Sequence, residues 1–246
     1  MAWQVLIEQN ILHFPVNVSA LCISYNCILL SYDRAHDILV RYGLLDNCKN
    51  NDGFALRMRG RIFIFYNNKC SPGRIRFTVA HELGHVLLGH LNIYRNSPTI
   101  RNREPSPYDN PFEQQANVFA SRLLAPACII DKLNMHRPEQ LMTFFGISHQ
   151  SAEYRLLRME IVQNRKKFGV NFRTHFLEKQ VVNQLRPFVK WAKKLEDHQS
   201  FAQFQIVRDG RVIGTTLGIT SNKYPEIIGV PPDVDLLEGD TLKPTI

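Results

Sequence analysis

The sequence predicts an α+β fold, mostly helical with a small β-sheet. Three stretches carry that expectation. Arg74 to about Leu91 is rich in apolar residues at helical spacing: Phe77, Val79, Ala80, Leu83, Val86, Leu87 and Leu88. Pro111 to Leu124 repeats the pattern, with a stripe of Ala116, Phe119, Ala120, Leu123 and Leu124. Between the first of these helices and the N-terminal region, Gly53–Met58 and Arg61–Tyr66 flank Arg59-Gly60 and read as a hairpin. Ile62, Phe63, Ile64 and Phe65 have strong strand preference.

A chain of 246 residues holds one large domain or two modest ones. Apolar content of 44% and charged content of 21% suit a protein that buries an ordinary core. The net charge of +8 and pI of about 9.4 favour acidic partners, or serve only solubility. Five cysteines, at 22, 27, 48, 70 and 128, match neither a disulfide framework nor a zinc-finger spacing. Reduced thiols in a cytoplasmic protein are the simpler expectation. The N-terminus lacks a basic segment followed by an apolar one, which argues against a signal peptide. The apolar run Leu21–Leu30 is interrupted and too short to span a bilayer.

Taken in order, residues 2–12 read as a helix broken by Pro15, and 16–24 as a second short one. Cys27–Leu30 reads as a strand. Asp33 is the expected N-cap of a helix to Tyr42 that Gly43 ends. Asp46–Asp52, with three asparagines, reads as a loop. Asn67 to Gly73 is a turn-rich connection before the first long helix. The stretch 96–111 is rich in Pro, Asn, Arg and Ser and forms a long loop, a length typical of functional segments. Asp109 or Asn110 caps the helix that starts at Pro111, and Pro126 marks its end. Residues 138–145 and 148–159 read as a helix–turn–helix-like pair around Gly146, with Ser148 as N-cap. From Arg165 the chain turns basic. Asp209-Gly210 between two β-type runs signals a hairpin, giving an α/β C-terminal appendage. The expected partition is 1–164, including the pair at 138–159, and a basic appendage 165–246.

The chemistry concentrates in His81-Glu82-Leu83-Gly84-His85. On a helix, residues four apart project from one face about one turn from each other, so His81 and His85 can bind one zinc ion. Glu82 lies beside them, placed to take a proton from a zinc-bound water rather than to bind the metal. Gly84 leaves room for a close neighbour, a sheet strand or a ligand. A hydrolytic zinc site needs a third protein ligand and an open water position. Glu113 lies on the buried stripe of the second helix, where a carboxylate wants a cation. It serves equally well as an acid favoured by the helix dipole. Asn117, one turn on, can hydrogen-bond the outer nitrogen of a ligating histidine. His90, five residues past His85, is rotated off the ligand face of a continuous helix and is expected to make a structural hydrogen bond.

The stretch Arg74-x-Arg76-Phe77-Thr78-x-Ala80-His81-Glu82-Leu83-Gly84-His85-x-x-Leu88-Gly89-His90 is followed by Glu113-x-x-Ala116-Asn117-x-Phe119-Ala120-x-x-Leu123-Leu124-x-Pro126. Together, in this order and spacing, they resemble the ImmA/IrrE family of zinc metallopeptidases over roughly Asp52 to Met159. The resemblance implies a gluzincin-like core with His81, His85 and Glu113 on Zn2+ and Glu82 as catalytic acid/base. It implies a zinc metalloendopeptidase of the ImmA type, whose protein substrate is a helix-turn-helix repressor of a mobile element or prophage. The segment 165–246 lies outside it.

In that reading Glu82 accepts the proton of the attacking water and delivers it to the leaving amine. Tyr108, His149 and His90 are the candidates for an additional donor to the tetrahedral oxyanion. Arg74 and Arg76 bind substrate or serve structure. The strand Arg61–Tyr66 is a possible edge for an extended substrate. The rival reading is a DNA-binding transcriptional regulator with a metal-sensing or vestigial site, resting on the basic charge and the helix pair. Against it, residues 149–159 carry only Arg155 and Arg158 as basic groups, thin for a recognition helix. A third reading is an interaction protein of a toxin–antitoxin pair.

Overall fold

The computed structural model describes residues 1–93, 110–167, 175–194, 199–221, 227–229, 236–237 and 239–244. Among the described residues the fold is mixed α+β, with more helix than strand and two small sheets. By contact the chain forms two compact units. The first is Met1–Ala2 with Val18–Leu123, and the second is Trp3–Asn17 with Leu124–Ile246. No helix among the described residues is long and apolar enough to cross a membrane.

The chain begins with α1 (Ala2–Glu8), most of which belongs to the second unit, and α2 (Val18–Ser24). The first helix ends earlier than its apolar pattern predicts, because Asn10 turns to φ +48° well before Pro15. Next come β1 (Cys27–Ser31), α3 (His36–Arg41) and α4 (Leu45–Asn50). Two expectations fail here. Asp33 does not cap α3. It accepts a hydrogen bond from Nδ2 of Asn68 at 2.8 Å, and Ser31 Oγ takes the nearby Arg34 N–H. Residues 46–52 are not all loop either. Lys49 pairs with Asp46 at 2.9 Å, and the side chains of Asn50 and Asn51 donate to carbonyls one turn back. These local bonds support a short helix despite its poor propensity.

The hairpin follows as β2 (Gly53–Met58) and β3 (Arg61–Tyr66), turning on Arg59 and Gly60 at φ +49° and +77°. Positive φ at both central residues is what a two-residue hairpin of matching twist needs. The sheet order is β1-β3-β2, with β1 parallel and β2 antiparallel to β3. Arg61–Tyr66 is therefore the central strand, and it offers no edge to a substrate. Its interior position is where a run of Ile and Phe belongs: Ile64 and Phe65 are fully buried. Phe54, Phe65, Ala35, Leu39 and Leu44 form the core on one side of the sheet, and α5 (Pro72–Leu87) packs on β2 and β3.

After α5 come α6 (His90–Ile93) and α7 (Pro111–Leu124). Between them, 94–109 lies outside the described residues, and with it nearly all of the expected long loop and Tyr108. Asn110 caps α7: its Oδ1 accepts from the N–H of Phe112 at 2.9 Å.

In the second unit, α8 (Ala127–Lys132), α9 (Pro138–Phe145) and α10 (His149–Lys167) precede α11 (His175–Gln184) and α12 (Arg186–Ala192). Gly146, at φ +65°, turns α9 toward α10, and Ser148 Oγ accepts from the N–H of Ser151. The boundary expected near 164 falls inside α10. Strands β4 (Gln199–Arg208) and β5 (Arg211–Ser221) form the hairpin read from Asp209-Gly210. With β6 (Ile227–Gly229) and β7 (Thr241–Pro244) they order as β6-β5-β4-β7. The core here is aromatic: Phe14, Phe144, Phe145, Phe188, Trp191 and Phe201 stack at centroid distances of 5.0–6.4 Å. Gln184 Nε2 donates to the carbonyls of Leu6 and Ile11 and ties the N-terminal segment to this unit.

Candidate metal centre

Pro72 at the first position of α5 has the backbone angle a helix start requires and lacks only an N–H that would be unpaired there. Fifteen residues of regular helix then carry His81 and His85 on one face. Two glycines set what lies against that face. A Cβ on Gly84 would sit 2.9 Å from the Phe119 ring and 3.4 Å from Cα of Ala116. The neighbour that Gly84 admits is thus α7, not a strand or a ligand. This close approach brings the first turn of α7, with Glu113, beside His81 and His85. On the other side, a Cβ on Gly53 would overlap Thr78 and the carbonyl of Phe65 and come 3.7 Å from Cγ of Glu82. The start of β2 therefore lies directly against Glu82, which is 2% exposed.

His81 Nε2 lies 3.0 Å from His85 Nε2 and 3.1 Å from Glu113 Oε2, and His85 Nε2 lies 3.3 Å from Glu113 Oε1. The three donors form the one His/Cys/Asp/Glu cluster among the described residues with the spacing of a metal site, all ligand atoms lying within 4.8 Å of one another. Donors about 2.0–2.1 Å from a tetrahedral ion are separated by about 3.3 Å, so the set fits a divalent cation with nitrogen and oxygen preference. Burial alone would raise the carboxyl of Glu113. His81 and His85, which donate from Nε2 to its oxygens when protonated, outweigh it and hold the group well below its ordinary 4.5, as a carboxylate.

Each histidine also has an outer contact. Nδ1 of His81 is 2.9 Å from Oδ1 of Asn117, the partner expected from its position on α7. An amide oxygen only accepts, so Nδ1–H of His81 donates, and in the neutral ring the lone pair is then on Nε2, facing inward. His85 has an unexpected partner: its Nδ1 is 3.0 Å from Nδ1 of His90, whose Nε2 is 3.1 Å from Oε1 of Gln115. On one continuous helix His90 would be rotated off the ligand face. Instead α5 stops at Leu87, Gly89 takes φ +78°, and α6 starts at His90 with its ring folded back onto His85. Gly89 was the sequence signal for this. Gln115 had none, since an exposed glutamine between two ligand-side residues looks like solvated surface.

Other expected groups have local duties. Arg74 is ion-paired with Asp52, which also accepts from the Cys70 thiol, so a structural role suits it. Arg76 is half-buried in α5. Tyr32 donates its hydroxyl to the carbonyl of Asn51 at 2.8 Å. Burial first, and then nearby Cys48 and Glu82, raise its pKa. His149 belongs to the second unit and lies beside Glu153 and Glu139.

Residues 33–157, just over half of the chain, match the family model described as Peptidase_M78, IrrE N-terminal-like domain. The chain belongs to the Peptidase_M78 family. The matched range includes the sheet, α5 and α7, and so every residue of the cluster just described. Membership in Peptidase_M78 suggests metallopeptidase activity, and a peptidase acts on protein. The cluster of His81, His85 and Glu113 in this M78 chain could hold a metal ion. No curated protein matches the chain.

Proposed function

We propose that this protein is a zinc-dependent endopeptidase of the ImmA type, cleaving a helix-turn-helix repressor of a mobile element or prophage in the cytoplasm. The observation that carries the proposal is the convergence of His81, His85 and Glu113, with buried Glu82 in the same turn of α5. We assign His81, His85 and Glu113 as ligands in a gluzincin-like core. A zinc ion held there would supply Lewis acidity, activating water and polarising the scissile carbonyl.

Glu82 then holds and moves the proton. Its Cγ lies against the start of β2, and it is not one of the three clustered ligand groups. It takes the proton released by the attacking water and returns it to the leaving nitrogen. His81 and His85 present their Nε2 atoms, and Asn117 keeps the His81 ring in register.

Residues 1–164 form the peptidase domain in this proposal, and 165–246 an appendage without an assigned role. The family match stops at 157, in the same helix as that boundary. The DNA-binding reading loses support. Arg155 is 6% exposed and donates Nε–H to the carbonyl of Ala125 at 2.7 Å, so it is spent on packing. Arg158 is then the one arginine or lysine left exposed on residues 149–159.

The test is to incubate the zinc-loaded protein with the repressor encoded beside its gene. The proposal expects discrete fragments, abolished by a chelator and restored by zinc. An intact repressor, together with a specific shift of promoter DNA by this protein, would favour the regulator reading instead.

A further inference from the structure

His90 is 1% exposed, and a buried imidazole needs partners for both ring nitrogens. Its ring is fixed edge-on between two others, 4.9 Å from Phe112 at 62° and 5.0 Å from His85 at 73°. That leaves little freedom to choose other partners. The two facing Nδ1 atoms of His85 and His90, 3.0 Å apart, share a single hydrogen. Which ring donates is decided at the far end of the chain. Oε1 of Gln115 can only accept, so Nε2 of His90 carries a hydrogen and donates it. The lone pair of a neutral His90 ring is then on Nδ1 and accepts from Nδ1–H of His85. His85 is left with its lone pair on Nε2, the atom that faces His81 and Glu113.

We propose that His90 and Gln115 are positioning residues that set His85 as an Nε2 electron-pair donor to the metal. The inference rests on the metal-site reading given above and extends it outward, along a hydrogen-bond chain from exposed Gln115 through buried His90. With His81 set the same way by Asn117, the three facing atoms of the cluster all carry lone pairs when both rings are neutral, an arrangement that calls for a cation. Gln115 and Asn117, the outer ends of the two hydrogen-bond chains, lie on α7 together with Glu113. The direction of the chain matters. A donor in place of the Gln115 oxygen would reverse both bonds, put the hydrogen on Nε2 of His85 and remove that nitrogen from the ligand set.

Position 115 is exposed, so it can be changed without disturbing the core. Gln115→Glu keeps an acceptor at the same reach. Gln115→Met keeps the length, is neutral and has no acceptor. The experiment reads zinc affinity by competition with a chromophoric chelator, and the protonated ring nitrogens of metal-free protein by long-range proton–nitrogen correlation at mildly alkaline pH. In the wild type and Gln115→Glu, His85 is expected to be protonated at Nδ1 and His90 at Nε2 only. Gln115→Met is expected to lose this pattern and to bind zinc about 10–100-fold more weakly, the usual cost of losing an outer partner. His90→Phe, which keeps a ring for packing, is expected to weaken zinc similarly. Unchanged zinc affinity in Gln115→Met, or a wild-type His90 protonated at Nδ1, would overturn the proposal. Absence of zinc binding by the wild type would defeat the metal-site reading instead, and the nitrogen pattern would still decide the direction of the chain.

Discussion

Glu82 and Glu113 are glutamates of low exposure on adjacent helices, yet their surroundings give them different chemistry. Glu113 faces two imidazoles, which hydrogen-bond to it when protonated and keep it ionised against the effect of burial. Its folded-state pKa lies below the unfolded value, so on the acid side the folded state binds fewer protons. The stability it contributes is complete above about 4.5 and is lost as the pH falls below that. Metal-free wild type is therefore expected to lose more stability than Glu113→Gln on going from neutral to acid pH, as read by urea unfolding. With metal present, Glu113→Ala is expected to lose zinc, whereas Glu82→Gln is expected to retain it. The loss in Glu82→Gln is of turnover, about 10²–10⁴-fold, the usual worth of a general acid–base group. That His81 and His85 share a face was legible in the sequence from their spacing of four; that Glu113 meets them was not, because it lies on another helix and its spacing fixes only its place on the stripe of α7. His90 makes the structural hydrogen bond expected of it, but its partner His85 was not foreseen, because the positive φ at Gly89 resets the helix phase.

At the scale of elements, the site depends on how closely α7 and β2 approach α5. Gly84→Ala would place a Cβ 2.9 Å from the buried Phe119 ring, and Gly53→Ala would press on the backbone carbonyl of Phe65. Each is expected to cost about 1–3 kcal/mol in chemical denaturation, the range for overpacking a tight contact. Zinc affinity should respond more to Gly84→Ala, because that contact sets the distance between Glu113 and the histidines. Turnover should respond more to Gly53→Ala, because that strand lies against Glu82. The hairpin, α7 and its Asn110 cap were legible because turn and cap residues act locally. The central place of β3 was not, because strand order depends on β1, which lies far away in sequence and pairs with it in parallel.

Across the whole molecule, each compact unit has a buried thiol that reports on it. Burial pushes Cys22 in the first unit and Cys128 in the second up to about 12, from an ordinary 9.0. Between those values the unfolded chain loses thiol protons that the folded chain keeps, so stability falls as the pH rises through that window. A disulfide reagent at mildly alkaline pH is expected to spare Cys22 and Cys128 and to reach the partly exposed Cys70 first. Full labelling should require unfolding of the unit concerned. The recruitment of residues 3–17 into the second unit had no local signature. It rests on Phe14 in the aromatic core and on Gln184 reaching Leu6 and Ile11, contacts more than a hundred residues apart in sequence. That is why a linear partition of the chain misses it.

The most direct measurement compares wild type and Glu82→Gln at equal zinc content, with the neighbouring repressor as substrate and fragments identified by mass spectrometry. The account expects cleavage at discrete peptide bonds by the wild type and an intact repressor with the variant. Cleavage that persists in zinc-loaded Glu82→Gln would contradict it.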